Sequence, residues 1–256
     1  MKKIIAMILA LVLCFGLVAC GGTASKDDPT VKSEGVMTYA EYDAAELNST
    51  VVIETYVQGK QSWWDNQASL YTQDADGAYF IYNAACSEED YAKLVPGQKI
   101  KVTGVKSEWS GEVEIMDGTI EILEGNYLAA VTDVTAQLGT DELAASQNQY
   151  VAFKGLTVAA STDADGNEVA FLYNWDGSGQ AGTDSDLYFN VTDAAGNTYT
   201  FVVEYYTCDA EGAYGADTAV YEAVTGLQVG DVIDLEGFLY WYNGAQPHIT
   251  AVSAAA

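Results

Sequence analysis

One short pattern is written twice in this chain. Leu94-x-x-Gly97-x-x-Ile100-x-Val102-x-Gly104, followed by Trp109-Ser110-Gly111, returns 133 residues later as Leu227-x-x-Gly230-x-x-Ile233-x-Leu235-x-Gly237, followed by Tyr242-Asn243-Gly244. The two copies superpose without a gap. Solenoid repeats have periods of roughly 20 to 50 residues, so a repeat at this distance means two copies of one domain. A chain of 256 residues has room for two domains that each bury a core.

The copies share an order of elements. In the first, Thr38-Tyr39-Ala40-Glu41 is a capping-box pattern that opens a short helix. Residues 51–57 are β-branched and aromatic and read as a strand. Residues 69–71 and 78–82 flank an Asp74-to-Gly77 turn and read as a hairpin. Ser87 caps a second short helix, Pro96-Gly97 ends it, and residues 98–108 alternate apolar and polar. A return strand follows Ser110-Gly111. In the second copy the strands fall at 151–156, 187–191, 198–203 and 230–242, with a helix at 220–224. One connection differs: residues 161–186 form a long insertion rich in Asp, Gly and Ser, where the first copy has only about 61–67. Long connections in compact domains are commonly functional or mobile.

Five strands with a helix between the third and fourth resemble the OB-fold, a small Greek-key barrel. Leu94, Gly97, Ile100 and Gly104, and their copies Leu227, Gly230, Ile233 and Gly237, carry that resemblance. The first glycine is expected at the turn out of the helix, the second where the fourth strand bends. The fold expected is all-β with short helices, two tandem OB-like five-stranded Greek-key barrels over 37–126 and 127–256. Such a chain is similar to the tandem OB-fold lipoproteins of Firmicutes.

The N-terminus fits that resemblance. Lys2 and Lys3 precede an apolar run, 4–18, that is short for a membrane span and ends in Leu17-Val18-Ala19-Cys20-Gly21. This resembles a bacterial lipobox, which implies removal of 1–19 and a lipid on Cys20. Residues 20–36 read as a flexible tether. The protein is then expected outside the cytoplasm, held to the membrane by its lipid. Of the remaining cysteines, Cys86 and Cys208 fall at matched positions, and two buried thiols are the reading preferred to a disulfide.

Chemistry-bearing motifs are scarce. There is one His, His248, and no Arg. No nucleophile elbow, phosphate loop or His/Cys metal spacing occurs, so no enzyme is expected. Asp163-x-Asp165-Gly166-Asn167-Glu168 and Asp74-x-Asp76-Gly77 offer alternating oxygens, but neither matches an EF-hand loop, and Asp-Gly is a turn pair. No cofactor is therefore expected. Aromatic residues are the stronger signal, with 18 Tyr, 7 Phe and 5 Trp. OB barrels take ligands on strands two and three and on the flanking loops. The ligand candidates are Trp63, Trp64, Tyr71, Tyr82 and Trp109 in the first copy, and Trp175, Tyr188 and Tyr242 in the second. A formal charge of −27 argues for a neutral oligosaccharide, small molecule or protein and makes nucleic acid a poor partner. Single-stranded nucleic acid remains an alternative by OB analogy alone. A third reading is a protein-interaction module that uses loop 161–186.

Overall fold

A computed structural model describes residues 28–255. The first barrel consists of β1 (Thr50–Lys60), β2 (Gln67–Gln73), β3 (Ala78–Ala85), β4 (Gln98–Trp109) and β5 (Glu112–Asn126), closed in the order β1-β2-β3-β5-β4. The second consists of β6 (Tyr150–Ala159), β7 (Leu187–Thr192), β8 (Thr198–Val203), β9 (Val232–Phe238) and β10 (His248–Ala254). Its strands follow the same ring, with β6 pairing both β7 and β9. In each barrel the third strand runs parallel to the fifth. These are the two OB-like barrels the repeat predicts. Helix α1 (Tyr39–Ala44) opens with the complete Thr38/Glu41 capping box. Helices α2 (Glu88–Tyr91) and α3 (Ala219–Thr225) lie between third and fourth strands. The fourth strand of the second barrel ends at Phe238 rather than running on to Tyr242.

The duplicated glycines serve two separate purposes. Gly97 and Gly230 have φ of +90° and +96°, the left-handed region where a side chain is strained. Gly104 and Gly237 sit where register slips between the fourth and fifth strands. A Cβ on Gly104 would lie 2.7 Å from the Met116 carbonyl oxygen, and one on Gly237 would run into the His248 carbonyl. The strands bend there because no side chain holds them apart.

Each barrel has its own core. Tyr42, Ile53, Leu70, Tyr79, Ile81, Leu94 and Ile100 fill the first. Phe153, Phe189, Phe201, Val224, Ile233 and Leu235 fill the second. Tyr79 and Phe80 face opposite sides of β3, as alternation requires. Tyr79 packs inside the barrel, whereas Phe80 joins Tyr71 and Phe238 in a third cluster formed by both barrels.

Candidate functional site

That third cluster makes the OB face of the first barrel a seam. The rings of Tyr71 (β2) and Phe238 (β9) stack at 4.2 Å with 4° between planes. Tyr150 packs on Phe238, and Tyr240 packs edge-on against Phe80. Tyr240 also stacks on His248 at 4.3 Å. The Tyr71 hydroxyl and His248 Nδ1 are 2.6 Å apart. Each such ring pair contributes about 0.5–1.5 kcal/mol beyond the burial of its area. Tyr71 is therefore fully buried between barrels, not on an open ligand face. Burial without a counter-charge holds His248 neutral, its pKa pushed down to about 3.

The two β4–β5-type hairpins meet at one rim of this seam. Asn243 N–H donates to the Ser110 carbonyl at 2.6 Å, and Trp241 N–H donates to Glu112 Oε2 at 2.8 Å. From barrel two, Gln147 donates to the Gly111 carbonyl and accepts from Val113 N–H. The matched positions Trp109 and Tyr242 come together with ring centroids 5.1 Å apart. They stay 53% and 44% exposed. Exposed Tyr82 packs on Phe80 beside Tyr240, and half-buried Tyr188 makes no ring contact with the pair among the described residues.

Carboxyl groups line the same region. Burial raises Glu112 to about 8 and Glu204 to about 7, and raises Glu114 and Asp186 as well. Glu112 and Glu204 both raise Tyr71 and Tyr240, beside burial, while Asp186 and Glu204 raise Tyr188. The exposed rings can stack on a flat ligand face, while Glu112 and Glu114 are buried and belong to the seam beneath.

The structure thus brings Trp109 and Tyr242 together, sets Tyr82 against the seam ring Phe80 and buries Tyr71. The other candidates lie apart from them. Trp63 is half-buried, its indole N–H donating to the Cys86 carbonyl at 3.0 Å. Trp64 and Trp175 are exposed, and no ring contact joins them to this group among the described residues. Cys86 and Cys208 are both buried free thiols. Asp163 is occupied by turn hydrogen bonds from Asp165, Asn167 and Gly166, and Asp74 by Lys32 and Tyr79. No group of three or more metal-ligating side chains occurs among the described residues. Cys20 lies outside those residues. No described helix is long and apolar enough to cross a membrane. Sequence reasoning missed Glu112, Glu114, Glu204 and the role of His248. Their alternation marks them as outward-facing, and nothing local says that a second barrel covers that outside.

No family model matches this chain. A 1,4-alpha-glucan branching enzyme of Corynebacterium efficiens is 24% identical over 204 residues, 76% of this chain and 26% of that protein. The chain thus spans about a quarter of that relative's length. Among solved structures, it is similar to a murine DNA-binding protein bound to double-stranded DNA, with TM-score 0.35 and 13% identity, covering 80% of this chain and 96% of that one. It is also similar to the single-stranded DNA-binding protein of Thermus aquaticus, with TM-score 0.27 and 13% identity, covering 81% of each. These matches correct one expectation. Similar chains include DNA-bound and single-stranded DNA-binding proteins, so acidic composition alone does not strike nucleic acid from the partners.

Proposed function

We propose that this chain is a non-catalytic binding protein whose ligand stacks on the exposed rings where the two hairpins meet. The carrying observation is the Trp109–Tyr242 pair: two open rings, 5.1 Å apart, supplied by the same position of each copy. Neither barrel offers that platform alone. The lipobox-like Leu17-to-Cys20 segment supports tethering of the protein outside the cytoplasm by a lipid on Cys20. A neutral oligosaccharide suits the site, because pyranose faces stack on exposed Trp and Tyr and an uncharged ligand meets no repulsion from an acidic chain. Single-stranded nucleic acid is the second reading, favoured by the tandem OB architecture and by rings on which bases stack.

Tryptophan fluorescence, titrated with neutral oligosaccharides (a 1,4-α-glucan among them) and with oligothymidylate at low and high salt, tests both. Trp109→Ala and Tyr242→Ala each weaken binding about tenfold, about 1.4 kcal/mol. Oligosaccharide binding that is insensitive to salt supports the first reading. Oligothymidylate binding that falls steeply with salt supports the second. Binding of neither, or binding unchanged in both variants, overturns the proposal.

A further inference from the structure

A second concavity opens on different elements of the seam. It encloses about 590 Å³, a volume typical of small-molecule sites. Val57 and Lys60 of β1, Val95 and Pro96 beyond α2, and Leu128 of the connecting segment form one side, with Phe238 opposite. The walls are held in place. A Cβ on Gly59 would lie 2.6 Å from the Phe238 ring, so β1 and β9 approach as closely as they do only because that residue is glycine. Gln58 Oε1 accepts from Ala129 N–H at 3.0 Å and fixes the connecting segment against β1. Antiparallel pairing of Gln61 with Thr207, and Cys208 N–H donating to the Lys60 carbonyl, close the far end.

Two features of this hollow are unspent. Val95 and Leu128 are 47% and 59% exposed, and both turn into the same opening. Lys60 is the ammonium in its wall. It donates to the Tyr91 carbonyl at 3.1 Å and rests 3.9 Å over the Tyr91 ring. Like Lys101 and Lys106, it pairs with no carboxylate among the described residues, whereas Lys32, Lys93, Lys99 and Lys154 each have one. Burial lowers its pKa, the sign of an ammonium lacking a counter-ion. Asp209 and Glu211 also line the hollow, and Asp209 caps its own turn instead, accepting from Glu211 and Ala213 N–H. Cys208 and Cys86 are thiols whose own pKa burial raises, so they bring no charge at neutral pH.

We infer that this cavity is a binding site for a small amphipathic acid, its anionic group on Lys60 and its apolar body against Val95, Leu128 and Phe238. The site is independent of the Trp109–Tyr242 face and survives that reading's failure. Anilinonaphthalenesulfonate, an apolar body with one anion, is the probe, and phenylnaphthylamine is its uncharged counterpart. Wild type binds one equivalent of the sulfonate. Lys60→Met weakens it at least tenfold and leaves the amine unchanged, and Lys60→Arg restores it. Ala129→Trp fills the hollow and removes both dyes, while thermal melts check that each variant folds. Equal losses of both dyes in Lys60→Met, or unchanged binding in Ala129→Trp, would overturn the site.

Discussion

Replacing Glu112 by Gln makes this protein more heat-stable at pH 8 and changes little at pH 5. Glu112 is buried where β5 meets barrel two, and one of its oxygens accepts from Trp241 N–H. The other oxygen, Oε1, has no donor, and neither does Oδ1 of buried Asn148, whose side chain lies beside it. Burial outweighs what Asn148 and Trp241 N–H do to favour the ionised form, so the carboxyl holds its proton. With a folded pKa of about 8, the native state keeps a proton that the unfolded chain loses near pH 4.5. Stability is therefore fully present below about 4.5 and falls as pH rises to 8, by about 1.4 kcal/mol per unit and at most about 5 kcal/mol. Glu204 adds a loss of the same sign up to about pH 7.

His248 opposes them. Its folded pKa near 3 means that the unfolded chain takes up a proton below pH 6.5 that the native state refuses, so its contribution is lost as pH falls from 6.5 toward 3. Two acids outweigh one imidazole between 4.5 and 6.5, and the stability optimum falls at about pH 4.5–5. Gln at 112 keeps an acceptor for Trp241 N–H without titrating. The variant gains about 3 kcal/mol at pH 8, or roughly 6–12 °C of melting temperature. Melts from pH 4 to 9 measure this. Parallel curves for wild type and variant would show that Glu112 is ionised in the native seam.

Much of the scaffold was legible because its causes are local. A capping box, a glycine at positive φ and a glycine under a neighbouring strand each leave a mark in the sequence, and the repeat wrote the glycine marks twice. The paired rings were legible as aromatic, and Trp109 and Tyr242 as matched. The seam was not. Alternation along β2 and β3 says that Tyr71 and Phe80 point away from their own barrel core, which reads as solvent until a second barrel stands there. The same blindness hid Glu112 and Glu114, spaced two apart on β5, and His248, whose partners are 177 residues distant at Tyr71 and nearby at Tyr240.

Gly237→Ala loses about 3 kcal/mol, the upper end of what a single added methyl costs in a packed interior. The methyl would meet backbone, not a side chain that can turn aside: the His248 carbonyl, and Ile249 Cα at 2.8 Å. Relief requires β9 and β10 to part at the irregularity that lets Gly237 pair with Ile249 and Phe238 with His248. That movement carries His248 away from Tyr71 and Tyr240, so a lesion inside barrel two is felt in the seam. Gly104→Ala is the matched lesion in barrel one, against the Met116 carbonyl at 2.7 Å, and loses a similar amount without moving the histidine. Gly226→Ala is the control. Its φ is −89°, its nearest contact is 3.5 Å, and the alanine is neutral or stabilising by about 0.5 kcal/mol. Calorimetry measures the three melts. Because the chain has a single histidine, its imidazole NMR signal reports the seam directly, shifting in Gly237→Ala and staying in place in Gly104→Ala and Gly226→Ala. A Gly237→Ala protein that melts with wild type, with that signal unmoved, would mean that the second glycine of the repeat is not what lets the strands close.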